Sequence, residues 1–507
     1  MLGTPTCGTV VSTVSGHGQD RSATGGTPVP QIRYFRVPED WRKEQKLQDL
    51  NRLCAASKVP WATLKPDTSG LWLVPERAEE FQAFVPLGNK VAKAADSGNP
   101  QTVFKVFSGG VKTNRDEVTY DFDRTVLANR IRQFVDDYNG EVDRYKRSGG
   151  TGVPPVDDFV RYDKIKWSRD LKLDLKRGNY AVFNGAKIRV AIYRPFCRRY
   201  LFFDRILNEE VYVNPSIFPT PAVEGENLVI WTKAGMDWPF FALASDRLVD
   251  VLPQGGSQCF PFYLYDEDGT NRRENITDWA LEHFRKHYSD SEINKWDIFH
   301  YVYGVLHHPE YRSKYAENLK RELPRIPLVG SGTGVPPVSS HGQDSHATSS
   351  FWAFANAGKE LAQLHVDYEK LEPYPLKYVE TCAVAAVYDR RPLHEKNGAH
   401  RAPLQQPLPL SYRVEDKMRL SKDRTSLKVN DSLTLAGIPP EVFEYRLGNR
   451  SALEWVIDQY QVTEDKRSGI RSDPNRPDDP EYIVRLAAQA VRVSLETVRI
   501  VDSLPAL

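Results

Sequence analysis

The apolar residues of this chain fall into two periods, and the places where one gives way to the other set out its elements. Residues 32–37 (Ile-Arg-Tyr-Phe-Arg-Val) read as a strand, and 81–86 and 102–107 are predicted as further strands. Helical spacing takes over at 41–53 and at 123–145, where Val126, Ile131, Phe134, Val135 and Tyr138 make one apolar stripe. Short strands separated by turns are predicted at 187–193, 200–203, 227–232 and 260–265. Helices follow at 278–287, with Thr277 as the N-cap, and at 292–306, stopped by Pro309. Others are predicted at 311–322, 351–369, 451–460 and 480–490, and the polar stretch 390–409 is expected as a loop. This mixture of strand and helix predicts an α+β, or irregular mixed α/β, fold.

Short repeats interrupt the pattern. Gly150-Thr-Gly-Val-Pro-Pro-Val156 recurs as Gly332-Thr-Gly-Val-Pro-Pro-Val338. Ser340-His-Gly-Gln-Asp-Ser-His-Ala-Thr348 recurs, slightly changed, as Gly16-His-Gly-Gln-Asp-Arg-Ser-Ala-Thr24. These pieces lack hydrophobic periodicity and are not spaced as solenoid units are. They resemble a translated mobile DNA repeat, and an insertion survives only in an exposed loop. The expected organisation is a disordered leader over 1–31, an ordered block over 32–147, an inserted loop at 148–156, a second block over 157–328, an inserted loop at 329–350, and a largely helical block over 351–507.

Composition excludes several classes. At 507 residues with 40% hydrophobic content, the chain can bury cores in two to four domains. No apolar run is long enough to span a bilayer, and the first 30 residues lack the basic-then-apolar order of a secretory signal. Cys7, Cys54, Cys197, Cys259 and Cys382 lie far apart with no CxxC pair, so a reduced, cytoplasmic protein without a cysteine-rich zinc site is expected. Net charge is +1, from 68 basic and 67 acidic residues, but it is unevenly spread. Residues 161–205 hold thirteen Lys or Arg against four Asp, whereas 260–300 hold nine acidic against five basic residues. Such polarisation is expected of a protein that turns one face to a polyanion.

No catalytic motif is complete in the sequence. An amino-methyltransferase needs an Asn/Asp-Pro-Pro-aromatic loop to grip the base; Ile438-Pro-Pro-Glu441 and Val153-Pro-Pro-Val156 lack both the polar first and the aromatic last residue. Phe107-Ser-Gly-Gly-Val111 is the nearest approach to a cofactor-binding glycine loop and reads as a turn, and no phosphate-binding loop occurs. Glu415-Asp-Lys417 and Glu464-Asp-Lys466 match only half of a nuclease motif. Asp266-Glu-Asp-Gly-Thr270 resembles a calcium loop but has Thr277 where the closing glutamate belongs. His300, His307 and His308 lack a further ligand, so packing explains them better than a metal does. No catalytic or metal residue is assigned.

What remains is basic. One string carries Lys164, Lys166, Arg169, Lys172, Lys176 and Arg177; a second carries Arg189, Arg194, Arg198 and Arg199, interleaved with Tyr193, Phe196 and Tyr200; a third carries Lys417, Arg419, Lys422, Arg424 and Lys428. Such side chains neutralise phosphates, and arginine also reads base edges. Arg198 and Arg199, at the entrance to a strand, are expected to place at least one guanidinium on a phosphate. On composition alone a solvated charged face is the favoured reading.

A family resemblance decides between them. Lys166-Trp-Ser-Arg-Asp-Leu-Lys172, Tyr193-Arg-Pro-Phe196, Phe202-Phe-Asp-Arg205, Gln258-Cys-Phe-Pro-Phe-Tyr263, Asn275-Ile-Thr-Asp-Trp-Ala280, Asp297-Ile-Phe-His-Tyr-Val-Tyr303, Leu433-Thr-Leu-Ala-Gly-Ile-Pro439, Tyr445-Arg-Leu-Gly-Asn-Arg-Ser-Ala-Leu-Glu-Trp455 and Asp465-Lys-Arg-Ser-Gly-Ile470 occur in order. They resemble the C-terminal specificity domain of type ISP (LlaBIII-like) restriction–modification enzymes. The resemblance implies that 32–147 holds the closing edge of an adenine N6-methyltransferase domain and a connector, and that 157–328 and 351–507 form the target-recognition region. It implies double-stranded DNA as the partner, and a methyltransferase, translocase and nuclease portion on a separate chain. S-adenosylmethionine and ATP with magnesium would belong to that portion, and no cofactor to this chain. Two alternatives stay open: part of a methyltransferase completed by another chain, and a gene fragment without function.

Overall fold

The computed structural model describes residues 9–13, 32–37, 41, 43–64, 72, 75, 77–94, 100–148, 156–233, 238–251, 256–330, 343–380 and 411–507. The expected loop at 390–409 and, Val156 apart, both Gly-Thr-Gly-Val-Pro-Pro-Val copies lie outside them. The chain divides into two units, Met1–Glu79 and Glu80–Leu507. In the first, Ile32–Arg36 is the centre of a three-stranded antiparallel sheet, flanked by Thr9–Thr13 and Ala62–Leu64. The leader expected to be disordered thus contributes a strand. Its Thr-Val-Val-Ser-Thr sequence is mostly β-branched, a composition that suits a pleated ribbon.

In the second unit a buried antiparallel sheet separates two cores. Val229–Lys233 lies between Ser257–Pro261 and Ala242–Ser245. Val229, Trp231, Leu243 and Cys259 face a core shared with the helices Ala452–Gln459 and Tyr482–Asp502. Ile230, Ala242, Ala244 and Phe260 face a helical core of Asp278–Tyr288, Lys295–His307 and Gln343–Val366. Burial of both faces explains why this stretch is apolar without alternation. The hairpin Ile188–Arg194/Cys197–Phe202 turns at Phe196, whose φ is 56°. It sends Ile188 and Phe202 into a third core with the helices Arg124–Arg147 and Arg169–Arg177. The fold is α+β.

Several expectations are corrected. The helix Arg124–Arg147, capped by Asp123, shares its core with residues 159–207, so the segment at 148–156 does not separate two bodies. The stretch 81–86 begins in a helix, Ala78–Gln82, because Phe81 packs against Tyr315; only Val85–Pro86 is strand. Residues 102–107 bury Val103, Phe104 and Phe107 yet form a single bridge, Phe104 to Ile276. The helix expected over 311–322 breaks at Tyr315 into Pro309–Lys314 and Ala316–Leu319. The loop expected over 329–350 ends early: the helix Gln343–Val366 starts inside the repeat, where Ala347 is buried and the Thr348 hydroxyl donates to the Tyr288 carbonyl at 2.7 Å.

Glycines let the helices Lys295–His307 and Gln343–Val366 cross closely. A Cβ on Gly304 would sit 2.5 Å from the Phe354 carbonyl oxygen, and one on Gly358 would run into the His300 carbonyl. Alanine is favoured over glycine in a helix interior by about 1 kcal/mol. Here the clash with backbone outweighs that gain, so Gly358→Ala is expected to destabilise by about 1–3 kcal/mol. An unchanged melting temperature would contradict the close crossing.

Candidate nucleic-acid interface

The three basic strings have different fates. The first runs into the helix Arg169–Arg177, which the sequence pattern had not separated from its surrounding turns. Ser168 caps its start, Gly178 closes it at φ 71°, and Leu171 and Leu175 fix its inner face. Arg169, Lys172, Lys176 and Arg177 therefore lie on the outer side. Lys164 pairs with Asp137 at 3.3 Å and Lys166 with Glu117 at 2.9 Å. Arg169 meets Asp170 at 2.7 Å and Glu210 at 3.5 Å, and Lys172 meets Asp157 at 2.6 Å. Exposed pairs of this kind contribute about 0–1 kcal/mol, so a phosphate can replace the carboxylate cheaply. Lys176 and Arg177 are exposed and make no ion pair among the described residues.

The second string is turned inward, contrary to expectation. Arg189 is 5% exposed and bound to Glu224 at 2.5 Å and to the Phe218 carbonyl; burial pulls its pKa down. Arg194 donates to Asp250 at 2.9 Å. Arg199 lies between the rings of Phe122 and Tyr193, at 4.3 and 4.2 Å. Arg198 donates to the Val366 carbonyl at 2.7 Å, faces Glu369 at 3.5 Å and covers the Tyr368 ring. The aromatic neighbours that suggested a DNA surface are the arginines' own packing partners. Arg198→Gln is expected to lower stability by about 2 kcal/mol, through the lost charged hydrogen bonds, and to leave DNA affinity unchanged. Weaker binding at an unchanged melting temperature would return Arg198 to the interface.

The third string edges a four-stranded sheet in the order Lys377–Glu380, Leu433–Ala436, Ser426–Lys428, Arg419–Leu420. Leu427, Leu433 and Leu435 face the core. The opposite face carries Arg419 across from Lys428, and Lys377 across from Ala436. Lys417 pairs with Asp458 at 2.6 Å and Lys428 with Asp431 at 2.7 Å. Arg424 is tied into the fold by Glu454 and by the Phe443 ring at 3.8 Å. Arg419 and Lys422 are exposed without an ion pair among the described residues. Beside them a groove of about 550 Å³ carries both signs of charge, lined by Arg413, Lys417, Arg419 and Lys428 and also by Glu415, Asp416 and Asp431.

Between the first and third strings stands a hairpin whose cations the sequence reading did not assign. Thr463–Glu464 pairs with Arg471–Ser472, and Lys466 and Arg467 stand at its tip. The signal was present: an aspartate, a serine and a glycine around two cations are turn chemistry. Ile470 packs against the core of the Arg169–Arg177 helix, and Val462 N–H bonds the Glu415 carbonyl at 3.1 Å. The hairpin thus joins the two basic surfaces.

No group of three or more His, Cys, Asp or Glu side chains is placed to hold a metal among the described residues. His307 is buried, with Nδ1 2.8 Å from the Tyr303 carbonyl, and His300 stacks on Trp296. No helix among the described residues is long and apolar enough to cross a membrane.

The family model of the Type ISP C-terminal specificity domain matches residues 102–486, and the chain belongs to that family. Among similar solved structures is a nuclease-deletion mutant of the Type ISP restriction–modification enzyme LlaGI in complex with a DNA substrate mimic. It is 29% identical with a TM-score of 0.73, over 95% of this chain and 40% of that one. A DrdV–DNA complex is 34% identical with a TM-score of 0.73, over 94% of this chain and 43% of that one. The ATP-dependent Type ISP enzyme LlaBIII bound to DNA is 26% identical with a TM-score of 0.69, over 92% and 27%. The chain thus spans less than half the length of each. No curated protein sequence matches it.

Proposed function

We propose that this chain is the DNA-reading part of a type ISP restriction–modification system, which places an adenine N6-methyltransferase and a nuclease-translocase at an asymmetric site in cytoplasmic DNA. The observation that carries this reading is its likeness, over more than nine-tenths of its length, to three enzymes whose structures were determined with DNA or a DNA mimic. The outward cations of the Arg169–Arg177 helix, the hairpin tip and the Arg419 sheet face supply phosphate contacts. S-adenosylmethionine, ATP and magnesium are assigned to the catalytic portion, and Ile32 to Leu53 to the closing edge of the methyltransferase domain.

The test is selection by the full chain from a pool of duplexes randomised in sequence. Enrichment of one non-palindromic motif is the expected result. Retention of DNA without any motif would reduce the chain to a non-specific binder, and no retention at all would refute the reading. Calorimetry with S-adenosylmethionine separates the alternative: binding by this chain alone would place the cofactor site here.

A further inference from the structure

The cations around the hairpin are nearly all engaged, and two are not. Arg413 is held by Asp473 at 2.5 Å, Lys417 by Asp458 and Lys166 by Glu117. Lys466 and Arg467 stand side by side at the tip, exposed and without an ion pair among the described residues. Residues 463–464 and 466–469 are all exposed, so the hairpin projects from the surface.

The tip is nonetheless stiff. The Asp465 carboxylate accepts from the Arg467 N–H at 3.1 Å, and from the Ser468 N–H and hydroxyl at 2.8 Å each. Asp465 N–H donates to the Ile470 carbonyl at 3.0 Å, and Gly469 N–H to the Asp465 carbonyl at 2.8 Å. Gly469 adopts φ 67°, a conformation glycine reaches without strain. These bonds, with Lys166 nearby, hold the Asp465 carboxyl below the usual carboxylate range, so its charge is spent inside the turn. The base is anchored too: Asn475 bonds both the N–H and the carbonyl of Val414 at 2.8 Å.

A projecting two-stranded ribbon is a shape the major groove of B-DNA admits, and a guanidinium matches guanine O6 and N7 with two bonds. Pre-ordering of the turn removes much of the entropy that a flexible loop would lose on binding. We infer that the Asp465–Ile470 tip enters the major groove of double-stranded DNA, where Arg467 reads a guanine and Lys466 contacts the backbone. This deepens the DNA-reading proposal and rests on it.

The test repeats the duplex selection with full-length Arg467→Ala, Arg467→Lys and Lys466→Ala, each checked by thermal melting. Arg467→Ala is expected to lose a guanine preference at one position and to bind the wild-type motif about 10- to 100-fold more weakly. Arg467→Lys keeps the charge but not the fork, and should lose the same preference. Lys466→Ala should weaken binding equally on all sequences. If both Arg467 variants enrich the wild-type motif, or lose affinity uniformly, the base-reading role is overturned while the DNA-reading function stands. If the wild-type chain enriches no motif, both fall together.

Discussion

Raising salt from about 50 to about 200 mM is expected to weaken the binding of this chain to duplex DNA about a thousandfold. Six exposed cations without an ion pair among the described residues are available to phosphates near the candidate interface, Lys176, Arg177, Lys377, Arg419, Lys422 and Lys466, while Arg467 is the one assigned to a base. Each phosphate neutralised releases condensed counterions, with a slope of about −0.9 per contact on logarithmic axes, so six contacts give about −5. The inward arginines add nothing, because Arg189, Arg194 and Arg198 already satisfy Glu224, Asp250 and Glu369. Changing Lys176 and Arg177 together to glutamine should therefore flatten the slope by about two, and Arg198→Gln should not change it. Filter binding over a salt series measures both. A wild-type slope near zero would remove the phosphate-contact surface altogether.

The sequence carried its local chemistry well and its long-range pairings poorly. Asp123 and Thr277 were readable as helix starts because a cap is decided within three residues; both side chains accept the expected backbone N–H groups. Arg189, Arg194, Arg198 and Arg199 were expected on a DNA surface, but basic residues between aromatics describe two different things. One is a nucleic-acid surface; the other is a core whose cations lie on rings. The deciding carboxylates, Glu224, Asp250 and Glu369, stand 35, 56 and 171 positions along the chain from their arginines, where no local pattern reaches. The Arg169–Arg177 helix was hidden because only Leu171 and Leu175 mark its inner face amid charge. At the second repeat the error ran the other way. A segment without apolar periodicity still started a helix, because Ala347 is small enough to pack beside Gly330.

Acidification should destabilise the Glu80–Leu507 unit through His365. The ring is 2% exposed and links four elements. Ala244 N–H donates to the Tyr303 oxygen at 2.7 Å, and the Tyr303 hydroxyl then donates to His365 Nδ1 at 2.6 Å. On the other side His365 Nε2–H donates to Thr497 Oγ1 at 2.9 Å, whose own hydrogen goes to the Val493 carbonyl. The partners thus fix the neutral tautomer protonated at Nε2. A proton on Nδ1 would face a hydroxyl that must turn away, beside His307 and the stacked Tyr445 ring, in the field of Arg312. Burial first, and then Arg312, push the His365 pKa from 6.5 down to about 3. Between these values the unfolded chain binds a proton that the folded chain refuses. The stabilising contribution is therefore complete above pH 6.5 and is lost as pH falls towards 3. The loss is about 1.4 kcal/mol per pH unit, or about 2 kcal/mol at pH 5 from this residue. His365→Gln keeps a donor and an acceptor but does not titrate, so it should cost stability at neutral pH and yet shed about one proton's worth of the pH dependence. Urea unfolding of both proteins across this window measures the difference, and parallel pH profiles would show that His365 is not the group that acid attacks.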